Sequence, residues 1–423
     1  MISLFTPKGS EPDPKAVAQI EMCMRDDRAV AGALMADHHL GYSMPIGGVV
    51  AYQDAISPSG VGFDIACGNK AVRTPLLATD LGDAGHLRLI MEEIQRTVAF
   101  GMGRSNPEPV DHPLFYEHAP ILRELDSLVG GRQGLSQKAR AQLGTVGSGN
   151  HYVDLLADEY GYVWVANHFG SRGLGHTIAK GFLNLAVALD FESRAPEREE
   201  PTVFSTSSEL GQSYLAAMEL AGAYAYAGRD YVIDQVLSIL GTTANLSVHN
   251  HHNYAWNENG LWVIRKGATP LTSDLAFIGG SMGDGAVVVC GRVDTHTLPR
   301  YWAVSDIGAL GSAPHGAGRV MSRTKAAGRF KKVPVERKGP DGPYTKMIRV
   351  RDASTGAVDW PRVKAGLADR GIVVLGSGAD EAPEVYKNLD SVLAAHSNIE
   401  IVHRLRPLGI VMAGDDVYDP YKD

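Results

Sequence analysis

Residues 161–176 read GYVWVANHFGSRGLGH, and this stretch decides the fold class. Its first nine residues are rich in β-branched and aromatic side chains and end at a glycine, the composition of a strand. Gly170-Ser171-Arg172-Gly173 then turn the chain into a helix. His168 stands at the end of the strand, where open sheets commonly bind ligands. The Arg172 guanidinium and the amides that open the helix both favour phosphate or carboxylate. Taken singly, His168 reads first as a satisfied structural histidine, and so does His151.

Outward from this stretch the same alternation continues. GLWVIRKG (260–267), GAVVVCG (285–291) and GIVVLG (371–376) are strand-like, each bounded by glycine. Pro14 after Asp13 opens a helix, and 86–98, 120–129 and 207–240 place apolar residues three and four apart. The sequence therefore predicts a mixed α/β (α+β) fold with central β-sheets flanked by helices. No repeat or Ser/Gly linker divides it, so 1–423 reads as one domain with a short acidic tail at about 415–423. The basic segment 324–346 reads as a helix end followed by an exposed loop.

Composition bounds the function. A net charge of -8 argues against a protein that coats nucleic acid nonspecifically, though not against a local basic groove. Three scattered cysteines, Cys23, Cys67 and Cys290, make no disulfide framework. No apolar run approaches the roughly 20 residues that span a bilayer, and the N-terminus has no leader pattern, so a cytoplasmic protein without membrane partners is expected.

Four further segments have site-like composition. In PSGVGFDIACGNK (58–70), Asp64 and Cys67 lie three apart in a glycine-flanked loop; they read as a metal clamp whose sulfur can bridge two ions, or as a buried small hydrophobe beside a surface acid. GTVGSGNHYVDL (144–155) places His151 after small residues with accessible amides. SVHNHHNYA (247–255) crowds three histidines, which suggests metal. In GSAPHGAGRVMSRTKAAG (311–328), His315 opens what reads as a helix with Arg319, Arg323 and Lys325 on one face; a neutral imidazole there could attack a bound phosphate, or the segment is a capped helix with exposed arginines. MADHHLGYSMPIGGVVA offers Asp37 and His39, WVIRKGATPLT offers Arg265 and Lys266, and GGSMGDG is a glycine loop able to wrap a nucleotide. One thiolate, one carboxylate and several histidines would fill two metal centres sharing the sulfur, with a histidine and cations left over for phosphoryl or nucleotidyl transfer.

In this order GVGFDIACG, GTVGSGNHYVD, HFGSRGLGH, HHNYA, RKGAT, GGSMG and HGAGRVMSR resemble the RtcB family of RNA-splicing ligases over nearly the whole chain. DHHLGYSMPIGG and HRLRPLG resemble two further family elements. The resemblance implies a GTP- and Mn²⁺-dependent ligase that joins RNA 3′-phosphate or 2′,3′-cyclic phosphate ends to 5′-hydroxyl ends. It implies Asp64, Cys67 and His151 as ligands of one ion, and Cys67, His168 and His252 as ligands of a second. His315 matches the guanylylated nucleophile, with Asp37 as the carboxylate that orients it. Asn150, His151, Asp154, Asn253, Gly280, Ser281, Met282, Gly316, Ala317 and Gly318 match the GTP-contacting loops. Arg172, Arg265, Lys266 and Arg319 are the expected RNA contacts, and an activating partner protein is left open. The donor set alone would favour Zn²⁺ over Mn²⁺, so only the resemblance selects manganese.

The chain also departs from the family pattern. Met412 and Ala413 replace a C-terminal lysine-glycine that reaches the guanine, Asp154 stands where a longer Glu is usual, and GGSMG lacks a proline. Two alternatives follow. One is a relative that processes RNA ends as a metal-dependent phosphodiesterase with weak ligation; the other is a non-catalytic RNA-end-binding protein.

Overall fold

The computed structural model describes residues 2–130, 134–194, 199–272, 274–292, 308–339 and 342–414. The acidic tail at 415–423 lies outside them. Two sheets organise the chain. The larger runs in the order Ala276–Gly279, Ala286–Gly291, Ile399–Gly414, Tyr152–Ala157, Tyr162–Phe169, Gly68–Leu77 and Leu246–His251, with Val373–Ser377 added in parallel to Ile399–Gly414. The smaller runs Ile2–Leu4, Ala29–His39, Ile46–Gln53, Leu261–Lys266 and Asn253–Glu258. The predicted strands are all present, and the mixed α and β class with sheets flanked by helices is the observed one.

The predicted helices form, two of them with side-chain caps that the sequence itself supplies. Asp13 accepts the Lys15 N–H at the start of Pro14–Cys23. Ser208 caps Glu209–Leu240, a helix of 32 residues and so about 48 Å long, and Gly241 closes it in the left-handed conformation. This helix packs against the strand Tyr162–Phe169, and Val232, Ile233 and Val236 join Val163, Val165 and Phe169 in one apolar cluster. Burying a Val or Ile side chain contributes roughly 1.5–3 kcal/mol, so these rows hold the helix to the sheet. Arg229 also faces inward from this helix and is fully buried.

Two expectations are corrected. The segment after Ala327 is no loop: Phe330–Gly339 and Gly342–Arg351 pair as an antiparallel hairpin. Its alternation of basic and β-branched residues is a strand pattern that the Pro and Gly content obscured, and Pro334 is tolerated because the ribbon has free edges. Likewise His315 opens no helix. Ser312–Pro314 is a strand, His315–Ser322 is irregular, and the helix is only Arg323–Ala327. Gly316 and Gly318 break the helix, and Gly318 has φ +74° with the Asp37 carbonyl 1.9 Å from where a Cβ would stand.

Candidate functional site

The Asp64–Cys67 loop turns tightly, with the Cys67 N–H donating to the Asp64 carbonyl at 3.1 Å. It leads into Gly68–Leu77, the strand between Tyr162–Phe169 and Leu246–His251. In that register Gly68 faces both Phe169 and His251, so Cys67, His168 and His252 arrive at one end of three neighbouring strands. Strands about 4.8 Å apart bring such side chains into contact. Gly170 makes room from below, because a Cβ there would stand 2.1 Å from Asp64 Oδ1.

The resulting distances are short. Cys67 Sγ lies 3.2 Å from His168 Nε2 and 3.6 Å from His151 Nε2. His151 Nε2 lies 3.1 Å from Asp64 Oδ2. The donor atoms of Cys67, His151 and His168 all fall within 4.8 Å of one another. Asp64 joins this group through His151, and His252 through His168, whose ring centres are 4.9 Å apart. All three histidines are buried. Burial, then neighbouring cationic charge, holds His168 and His252 well below the usual imidazole range, so their lone pairs are available. Burial, then the Asp64 charge, pushes the Cys67 thiol up.

This donor set fits a divalent cation. Carboxylate, thiol and imidazole donors converging in one place suit a divalent cation, which would convert the thiol to a thiolate ligand. His252 Nδ1 is buried with no hydrogen-bond partner among the described residues.

Arg229 supports the cluster from behind. Its guanidinium donates to the carbonyls of Ala66 and Phe169 at 3.0 and 2.7 Å, the residues adjoining Cys67 and His168. It also contacts His249 and His251 at 2.9 and 2.8 Å. Of the three clustered histidines, only His252 therefore turns toward Cys67. Arg229 was not among the expected residues; a single cation amid the alanines, glycines and tyrosines of 217–228 was its signal.

A cavity of about 610 Å³ opens over the cluster. Asp64, Cys67, His168 and His252 form one wall, and His315 with Gly316, Ala317 and Gly318 forms another. The His252 and His315 rings are 4.9 Å apart. His315 Nδ1 lies 2.7 Å from Oδ2 of fully buried Asp37. Burial alone would raise the Asp37 carboxyl, but the His315 hydrogen bond and the charges of His315 and Lys387 bring it below its ordinary value. His39, beside it, is lowered by burial to about 4. Tyr152, whose ring centre lies 5.3 Å from that of His168, also lines the cavity, with Asp154, Met282, Ile410, Met412, Asn150, Asn253, Gly280 and Ser281. Burial raises the Asp154 carboxyl, whose Oδ1 has no hydrogen-bond partner among the described residues. Asn253 bridges the Asp64 carbonyl and the Gly267 N–H, so its amide organises both walls.

The expected RNA contacts separate. Lys266 and Arg319 line the cavity, whereas Arg172 and Arg265 do not. Arg265 is corrected: it is 1% exposed, ion-paired to Glu258 at 2.6 Å and bonded to Ser312, Leu310 and Gly311. A guanidinium so enclosed ties its own sheet to the 310–312 segment and cannot reach a polymer in solvent. Arg172 sits beneath the 145–151 loop, bonding Thr145 and the Gly101 carbonyl. Arg319 bonds Tyr386 and the Asp380 carbonyl, and Arg323 pairs with Asp380 and Glu381. Asp380, Glu381 and Tyr386 carried no sequence signal, since two acids in a polar loop are ordinary surface composition.

The chain is similar to known proteins over most of its length. Residues 17–363 match the family described as tRNA-splicing ligase RtcB. The RNA-splicing ligase RtcB of Escherichia coli strain K12 is 31% identical over an alignment covering 88% of each chain. The tRNA-splicing ligases RtcB of Archaeoglobus fulgidus and Pyrobaculum aerophilum are 30% and 28% identical, covering 90% and 89% of this chain and 87% of each relative. Among the described residues no helix is long and apolar enough to cross a membrane.

Proposed function

The chain belongs to the RtcB family and is an RNA ligase, and from that premise we propose that it seals RNA 3′-phosphate or 2′,3′-cyclic phosphate ends to 5′-hydroxyl ends through GMP carried on His315. The observation that supports this is the His315–Asp37 pair, 2.7 Å apart, standing across the cavity from the Cys67–His168–His252 wall. With Nδ1–H held by the Asp37 carboxylate, the lone pair lies on Nε2. Nε2 attacks the α-phosphorus of GTP, a P–N bond forms, and the bond to pyrophosphate breaks. A cyclic end is first hydrolysed to the 3′-phosphate. An oxygen of the RNA 3′-phosphate then takes the GMP and frees His315. The 5′-hydroxyl attacks that activated phosphate, and GMP leaves as the strand is sealed.

Asp64, Cys67 and His151 would hold one Mn²⁺, and Cys67, His168 and His252 a second. When bound, the ions supply the positive charge that neutralises a triphosphate. The chain's own contribution is positional. In this scheme Asn150, Asp154, Asn253, Gly280, Ser281, Met282 and Gly316–Gly318, which line the cavity, would enclose the nucleotide, and Lys266 and Arg319, which line it too, would meet the phosphates. An activating partner protein remains compatible with this scheme. The test is incubation with Mn²⁺ and α-labelled GTP: wild type should take up label and His315→Ala none. No uptake by wild type, together with cyclic-phosphate opening, would favour the end-processing phosphodiesterase.

A further inference from the structure

The segment 329–351 carries eight Lys/Arg and two Asp/Glu, net +6, in a chain of net charge -8, so the other 400 residues carry -14. This segment therefore concentrates positive charge that the rest of the chain, on balance, lacks. That segment is the hairpin Phe330–Gly339 with Gly342–Arg351, which pairs with no other strand among the described residues.

The register arranges the charge. Lys332 faces Arg349, Val335 faces Lys346, and Arg337 faces Tyr344. Like charges directly opposite destabilise a ribbon, and a two-stranded ribbon is marginal in water to begin with. Tyr344 and Met347 are nonetheless 50% and 54% exposed at this cationic surface. Cations interleaved with an exposed aromatic ring suit a nucleic-acid strand, whose phosphates meet the cations and whose bases can stack.

The base of the ribbon is tied to the reaction cavity. Arg351 donates to the Gly328 carbonyl at 3.0 Å, lies over the Phe330 ring at 4.3 Å, and is 3.8 Å from Asp380. Asp380 in turn pairs with Arg323, which lines the cavity. Ten residues per strand at about 3.4 Å each give the arm a reach of roughly 34 Å.

We propose that this hairpin is a docking arm for the phosphate backbone of the RNA substrate, holding the strand several nucleotides from the ends being joined. The proposal rests on the ligase reading above and commits to RNA; an acidic protein is the competing occupant. The test uses full-length protein carrying Lys332→Ala, Arg337→Ala and Lys346→Ala together, none of which touches the cavity. Binding of a labelled single-stranded RNA 3′-phosphate is followed by fluorescence anisotropy across a salt series, and label uptake from GTP is measured without RNA. The expected result is RNA binding about tenfold or more weaker near 0.15 M salt, a salt slope shallower by about 2, and unchanged label uptake. Lys332→Arg with Lys346→Arg should bind as wild type. Unchanged RNA affinity and slope in the alanine variant would overturn the arm and leave an acidic protein as its partner. An equal loss in the arginine variant would overturn it too, because charge would not be the cause. Wild type that binds RNA in this arm-dependent way but takes up no label would sink the ligase reading and spare the arm.

Discussion

A single carboxylate oxygen, Asp37 Oδ2, accepts three hydrogen bonds, two from His315, by Nδ1 at 2.7 Å and by its backbone N–H at 3.1 Å, and one from the Gly316 N–H at 3.3 Å. Side chain and backbone are thus oriented by one buried atom, and the tautomer that places the lone pair on Nε2 follows from it. Asp37→Asn keeps the shape but can donate to Nδ1, favouring the wrong tautomer. It should slow label uptake from GTP roughly a hundredfold or more, with thermal stability near that of wild type. Single-turnover labelling at wild-type rate would remove Asp37 from this role.

Arg229 joins the two backbones that carry Cys67 and His168. Arg229→Met should leave the Ala66 and Phe169 carbonyls buried without donors, at about 1–3 kcal/mol each. The expected outcome is a lower urea midpoint and a weaker hold on metal, read by denaturation and by elemental analysis after gel filtration. Full metal retention at wild-type stability contradicts the bracing role.

Cys67 is the donor shared by the two proposed ions. Cys67→Ala should lose metal stoichiometry as well as labelling, and chelation of wild type should lower Tm because a bound cation stabilises only the folded donor set. Two ions retained per chain in the alanine variant would exclude a bridging sulfur.

Lys266 is buried, and burial lowers its ammonium from the ordinary 10.5 to about 8. Below pH 8 both folded and unfolded chains carry the charge, and the fold bears its full desolvation. Between about 8 and 10.5 the unfolded chain binds the extra proton, so this group's contribution to stability rises with pH. Lys266→Met should therefore be more stable than wild type at pH 7 by up to about 3 kcal/mol, with the gap closing by pH 10.5. The same variant should bind inorganic pyrophosphate more weakly at pH 7, and wild type should lose that binding above about pH 8. A pH-independent stability difference, measured by urea titration at several pH values, would contradict this assignment.

Much of this protein was legible from its sequence because local chemistry decides it. Glycine-bounded β-branched runs became strands, Asp13 and Ser208 capped helices, and the histidines that meet Cys67 sat in small-residue segments whose order carried the family resemblance. Long-range pairing decided the rest. Strand alternation turns His249 and His251 toward Arg229 while His252 faces Cys67, a choice that three neighbouring imidazoles do not disclose. Arg265 looked like a free cation until Glu258 and the 310–312 segment closed around it, and Arg323 meets Glu381 from 58 residues away. Hydrogen bonds and burial depend on which distant segments become neighbours, and only the folded register sets that; residue type and spacing along the chain decide the elements themselves.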